Sequence, residues 1–150
     1  MSQTQLKIKT RDFGETTVPQ DRVITFSNGI YAFEELRSFV LLSPLGEETY
    51  PMWLQSLEQP ELCFIVYDPF QIVDGYDPHL GDEALAALEC KEDHELQYYV
   101  IAVIPDEFKQ TTVNLRSPIV INKAHARGAQ VILEGDYKLR HPIFETKGDS

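Results

Sequence analysis

Thr112-Val113-Asn114-Leu115-Arg116-Ser117-Pro118-Ile119-Val120-Ile121-Asn122 joins an alternating stretch, a proline turn and an unbroken apolar stretch. Successive side chains of a strand point to opposite faces, so Val113 and Leu115 share one side while Asn114 and Arg116 share the other. Pro118 closes a short turn that leads into the apolar run Ile119-Val120-Ile121. Taken alone, these residues describe a β-rich domain without visible catalytic chemistry.

Outward from this stretch the same signals recur. Leu6-Lys7-Ile8-Lys9 alternates apolar and charged residues, and Val23-Ile24-Thr25-Phe26 is β-branched and aromatic, so two strands are expected in the first thirty residues. Asn28-Gly29 follows as a turn, because its glycine adopts positive φ at little cost. Phe39-Val40-Leu41-Leu42, Met52-Trp53-Leu54 and Cys63-Phe64-Ile65-Val66-Tyr67 read as three further strands, the last stopped by Asp68-Pro69. The nearly continuous apolar run over residues 96–104 predicts a central strand covered on both faces. Residues 111–115, 119–121 and 130–133 supply three more strands, with Asn122 and Gly128 marking loops.

Between Asp74 and Lys91 the period changes. Leu80, Ala84, Leu85 and Leu88 share one helical face, with Asp82 placed to cap the start and Lys91 to suit the end; alternatively Pro78 begins the helix with Asp77 as its cap. Eight or nine short strands with one helix predict a mainly β protein, a small closed or nearly closed antiparallel β-barrel with one short covering helix. A sandwich remains open on the same pattern. One domain over residues 1–150 is expected, with residues 145–150 as a mobile tail.

Thirteen basic against twenty-four acidic residues give a net charge of −11, unfavourable for nucleic acid or an anionic membrane surface and complementary to a basic protein. The apolar run at residues 98–104 is far shorter than the roughly 20 residues of a membrane-spanning helix. The N-terminus lacks a basic segment followed by a long apolar one, which predicts a cytoplasmic protein. Cys63 and Cys90 have no CxxC spacing, and reduced thiols fit that compartment.

Catalytic patterns are not found. His79, His94, His125 and His141 stand at no spacing that presents two of them together. Asp74-Gly75-Tyr76-Asp77-Pro78-His79 with Asp82 gathers oxygen and imidazole donors, but without the ligand spacing of a calcium loop; a loop leading to a helix cap is the simpler reading. Cys63 lies in an apolar strand and is expected to be inert, and Glu34-Glu35 and Glu47-Glu48 read as solvated surface acids. Tyr67, Tyr76, Tyr98, Tyr99, Phe26, Phe33 and Trp53 suffice for a base-stacking platform, yet the acidic total favours packing or a protein interface. A small-molecule-binding barrel and a hydrolase are the alternatives to a protein-binding module.

The opening stretch, read with Phe26-Ser27-Asn28-Gly29-Ile30-Tyr31-Ala32-Phe33-Glu34, Trp53-Leu54-Gln55-Ser56, Phe64-Ile65-Val66-Tyr67-Asp68-Pro69, Tyr76 and Gly128-Ala129-Gln130-Val131-Ile132-Leu133, resembles the bacterial flagellar assembly factor family FliW. The resemblance runs over residues 24–137. It departs at one turn, where the family usually has Gly-Ile-Pro-Gly-Phe-Glu and this chain has Gly29-Ile30-Tyr31-Ala32-Phe33-Glu34. The resemblance implies a non-enzymatic, barrel-like protein without cofactor, which binds the translational repressor CsrA and, as a competing partner, flagellin. Freed by flagellin export, such a protein sequesters CsrA, and translation of flagellin messenger RNA resumes. On this reading Phe33 and Tyr76 are apolar anchors of a protein-binding surface and Glu34, Asp68, Asp74 and Asp77 are its acids; the same four acids, with Glu83, are candidates to repel RNA phosphates. Asn114 and Arg116 complete the surface by pointing away from Val113 and Leu115. Alanine at Asp74 or Tyr76 is expected to weaken partner binding and spare thermal stability.

Overall fold

The computed structural model describes residues 5–46, 49–90 and 96–144. Its strands are β1 (Gln5–Thr10), β2 (Gly14–Pro19), β3 (Ile24–Phe26), β4 (Ser38–Leu42), β5 (Met52–Ser56), β6 (Cys63–Tyr67), β7 (Gln97–Val103), β8 (Thr112–Val113), β9 (Ile119–Asn122), β10 (Arg127–Gln130) and β11 (His141–Pro142). Among the described residues, two short α-helices, α1 (Pro69–Ile72) and α2 (Asp82–Ala87), lie between β6 and β7. Expectations for Glu47-Glu48, Lys91, His94, the first four residues and the tail from residue 145 fall outside the described residues.

Strands β3 to β7 pair in chain order, β7 pairs with β9, β9 with β10, and β10 returns to β3. Seven strands thus close the expected barrel, with β10 and β3 parallel and every other ring pairing antiparallel. The alternation read from the sequence decides what each face buries. Phe39 and Leu41 of β4 enter the central cluster, while Val40 and Leu42 face outward against Ile8 and Val18 of the β1–β2 hairpin. Phe26, Phe39, Leu54, Tyr99, Ile119 and Ile121 fill the barrel, each contributing roughly 1.5–3 kcal/mol by leaving water. These aromatics pack and do not form a platform; Tyr76 and Tyr98 are buried as well.

The hairpin is clasped to the outside of β5. Gln55, fully buried, accepts from the Arg11 amide at 2.9 Å, and the Trp53 indole donates to Asp12 Oδ2 at 2.9 Å. The Arg11 guanidinium bonds Asp12 and holds its carboxyl below the usual range. Strand β7 is covered on both faces over residues 98–102: Tyr99 and Ile101 point into the barrel, and Tyr98 and Val100 point into two outer clusters. The expected cover does not extend to Val103 and Ile104, which are exposed, with Ile104 beyond the strand.

Several local expectations are corrected. The helix between Asp74 and Lys91 is shorter than its apolar face suggested, starting at Asp82 with Gly81 as cap, so neither Asp77 nor the Asp82 side chain caps it. It covers the outer face of β9 and β10 through Leu80, Leu85 and Leu88. Asp68 opens a second helix instead, its carboxylate accepting from the Phe70 amide at 2.9 Å. Asn122, expected to mark a loop, is the last residue of β9, and its Nδ2 donates to the carbonyls of Leu88 and Glu89, closing the end of α2.

Gly128 lies within β10, not in a loop. The strand expected at residues 130–133 ends at Gln130, because Pro118 opposite has no N–H for the ladder; Val131 and Leu133 still donate to the Pro118 and Arg116 carbonyls. Strand β8 stops at Val113, where Asn114 Oδ1 accepts from the Arg116 and Ser117 amides, both at 3.0 Å.

Candidate protein-docking surface

The turn after β3 builds one wall of a groove. Gly29 has φ +67°, and a side chain there would meet the Glu34 backbone at 2.5 Å, so only glycine lets the two strands of the turn close up. The Phe33 amide donates to the Ile30 carbonyl at 2.7 Å, which places Tyr31 and Ala32 at the tip. Ala32 has φ +75°, a left-handed conformation costing an L residue roughly 1–2 kcal/mol. The departure from the family's Pro-Gly pair therefore leaves a tight turn in place, held by other contacts. The Tyr31 amide donates to Gln130 Oε1 at 2.9 Å, and the Ala32 amide to Glu34 Oε2 at 3.2 Å.

Relief of the backbone at position 32 is measurable. Ala32→Gly is expected to raise stability by about 0.5–1 kcal/mol, the relieved strain exceeding glycine's added freedom in the unfolded chain. Chemical denaturation checks this, and a lower midpoint would contradict the strain assigned to Ala32.

Opposite this turn stand residues 79–87, including most of α2, and residues 129–132 form the floor. Together they enclose a groove of about 380 Å³. Tyr31 and Ile132, 53% and 57% exposed, are its exposed large apolar groups, beside the half-buried Leu80 and Val131, and Glu34 and Glu83 are its acids. Among the described residues no lysine or arginine lines it.

The residues expected at a binding surface are only partly brought together. Glu34 lines the groove, joined there by Glu83, which was expected only as a phosphate-repelling acid, whereas Phe33 turns half inward, its ring edge-on to Phe64 at 5.7 Å. Asp68, Asp74, Tyr76 and Asp77 belong to the segment linking β6 to α2. Tyr76 is buried: its hydroxyl donates to the Leu115 carbonyl at 2.7 Å and its ring packs against Phe70 and Tyr137. Burial pushes its phenol far above the ordinary value. The expectation that truncating Tyr76 spares stability is therefore corrected. Asp77 is exposed, with its carboxylate 3.0 Å from His79. Asn114 is held in its own turn and Arg116 is exposed.

Tyr31, Ile132 and Phe70 are exposed large groups that the sequence reading passed over. Tyr31 carried a usable signal, since an aromatic at the tip of a tight turn has little neighbouring chain to pack on. Burial pushes the Cys63 thiol up to about 11, the behaviour of an unreactive cysteine. Among the described residues, no three His, Cys, Asp or Glu side chains are grouped to hold a metal ion, and no helix is long and apolar enough to cross a membrane.

Residues 7–143 match the FliW protein family. Flagellar assembly factor FliW of Ruminiclostridium cellulolyticum is 37% identical over 139 residues, covering 92% of this chain and 94% of that relative. The protein of the same name from Syntrophomonas wolfei is 39% identical over 141 residues, covering 93% and 90%. A crystal structure of the flagellar assembly factor FliW superposes with a TM-score of 0.87 at 36% identity, over 95% of this chain and 99% of that one. With its sequence matched from end to end of the barrel and its fold shared with that crystal structure, the chain belongs to the FliW family.

Proposed function

We propose that this protein is a cytoplasmic, non-enzymatic flagellar assembly factor that works by exchanging polypeptide partners: the RNA-binding repressor CsrA and flagellin. The family match over residues 7–143 carries this reading. The acidic groove, with its exposed tyrosine and isoleucine, agrees with it, since protein interfaces centre on such groups. Flagellin occupies the protein until it is exported; the freed protein then binds the repressor, and flagellin messenger RNA is translated.

Charge supplies a physical route to that antagonism. The repressor's grip on RNA depends on basic groups meeting phosphates, and a bound partner of net charge −11 repels those phosphates. One pair of charges about 8 Å apart in water contributes roughly 0.5 kcal/mol, so several acids must lie near the RNA path. Glu34, Glu83, Asp74 and Asp77 are exposed; Asp68, half-buried and engaged as a cap, is less available. Arg116 is exposed and Asn114 is held in its own turn; they adjoin Leu115, whose carbonyl accepts from the buried Tyr76 hydroxyl.

The test is the ratio of the repressor's RNA affinity without and with this protein, followed as salt rises. Between about 0.05 and 0.3 M salt the Debye length shortens from about 14 to about 6 Å, and the ratio is expected to fall toward one. A ratio that stays flat while the repressor remains bound removes the electrostatic route.

A further inference from the structure

We propose that the groove beside Tyr31 receives a short cationic segment of a protein partner, with one large apolar side chain seated between Tyr31 and Ile132 and flanking Lys or Arg meeting Glu34 and Glu83. This rests on the proposed function and deepens it: the segment belongs to the basic repressor, not to flagellin.

Three independent features lead there. Tyr31 and Ile132 come from segments about a hundred residues apart, yet both expose most of a large apolar side chain to one groove. An isolated exposed apolar residue is ordinary; two facing the same concavity form the seat of an anchor. The Tyr31 wall is also preorganised. Its amide is tied to the Gln130 side chain on the floor, and the next residue is kept in a left-handed conformation that alanine does not favour. A tyrosine held in place before binding loses little freedom on binding, which is where rigid aromatic anchors gain affinity. Strain retained beside a preformed recognition element is the pattern expected of a functional turn.

Charge selects the occupant. Among the described residues the lining carries two carboxylates, His79 and no Lys or Arg, which disfavours RNA phosphates and anionic lipid. A second copy of this chain, itself of charge −11, is a poor complement. A basic polypeptide satisfies both carboxylates, and its apolar side chain covers Tyr31 and Ile132.

Binding of purified repressor and purified flagellin to the full-length protein is measured by titration calorimetry, with Tyr31→Ala, Ile132→Ser and Glu83→Lys compared with wild type. Each side chain is exposed, so thermal melts are expected to match wild type and to separate docking from folding. Tyr31→Ala and Ile132→Ser are each expected to weaken repressor binding about tenfold or more, the range of a buried anchor. Glu83→Lys is expected to weaken it with a reduced dependence on salt, while flagellin affinity stays within about twofold. Folded variants that bind the repressor like wild type overturn the groove assignment and leave the proposed function standing. Loss of flagellin binding alone overturns the choice of occupant. Wild-type protein that binds no repressor overturns the proposed function, and this assignment falls with it.

Discussion

Gly128→Ala is expected to destabilise the protein by about 3 kcal/mol, the upper end of overpacking costs, lowering the melting temperature by roughly 6–12 °C. A methyl group at position 128 would stand 2.5 Å from Cζ of Phe26, well inside contact distance. Neither group has room to retreat. Phe26 is fully buried with its ring edge-on to Phe39 at 5.2 Å, and Gly128 is fixed opposite it in the parallel β10–β3 pairing that closes the barrel. The Thr25 amide bond to the Ala126 carbonyl, at 2.9 Å, holds the same register. Phe26→Leu in the Gly128→Ala background is expected to recover part of the loss, so that the double variant is more stable than the two single costs predict. A melt of Gly128→Ala indistinguishable from wild type would mean that the ring moves aside and that closure does not depend on this contact.

Tyr76→Ala is expected to cost about 3–5 kcal/mol, as truncation of a large buried aromatic does. Tyr76→Phe, which keeps the ring, is expected to cost about 1–3 kcal/mol by leaving the Leu115 carbonyl without its donor. Tyr76 pins the segment after α1 to the turn between β8 and β9, reaching across 39 residues of sequence. Its folded phenol ionises far above the ordinary value because of burial, so its contribution is complete below pH of about 10 and is lost as pH rises beyond. Asp74→Ala is the matched control, since that side chain is exposed. Urea denaturation in which Tyr76→Ala unfolds at the wild-type midpoint would contradict the core role assigned to this residue.

What was legible along the chain was whatever repeats over two residues. β4, β6, β7 and β9 follow from apolar alternation or apolar runs; their number and spacing allow a barrel or a sandwich, and the β10–β3 pairing decides for the closed barrel. β2 was missed because Gly14-Glu15-Thr16-Thr17-Val18-Pro19 buries only Val18, and its strand form comes from pairing with β1. β11 escaped for a similar reason: two residues, one of them proline, become a strand only beside β8. Helix α2 was legible as an apolar face but not in its length, since Leu80 joins that face from outside the helix.

The docking surface divides in the same way. Net charge of −11, the turn at Asn28-Gly29 and the family resemblance are properties of the sequence by itself, because composition, a glycine's allowed φ and a succession of motifs need no neighbours in space. Only the tertiary structure decided that Tyr76 is buried, that Asn122 closes a helix, and that Tyr31, Glu34, Glu83 and Ile132 share one groove. Those facts depend on contacts across tens of residues, such as Tyr31 with Gln130 and Tyr76 with Leu115, made when a closed ring of strands brings distant segments together. Alternation along a strand tells which side chains share a face; barrel closure determines what that face meets.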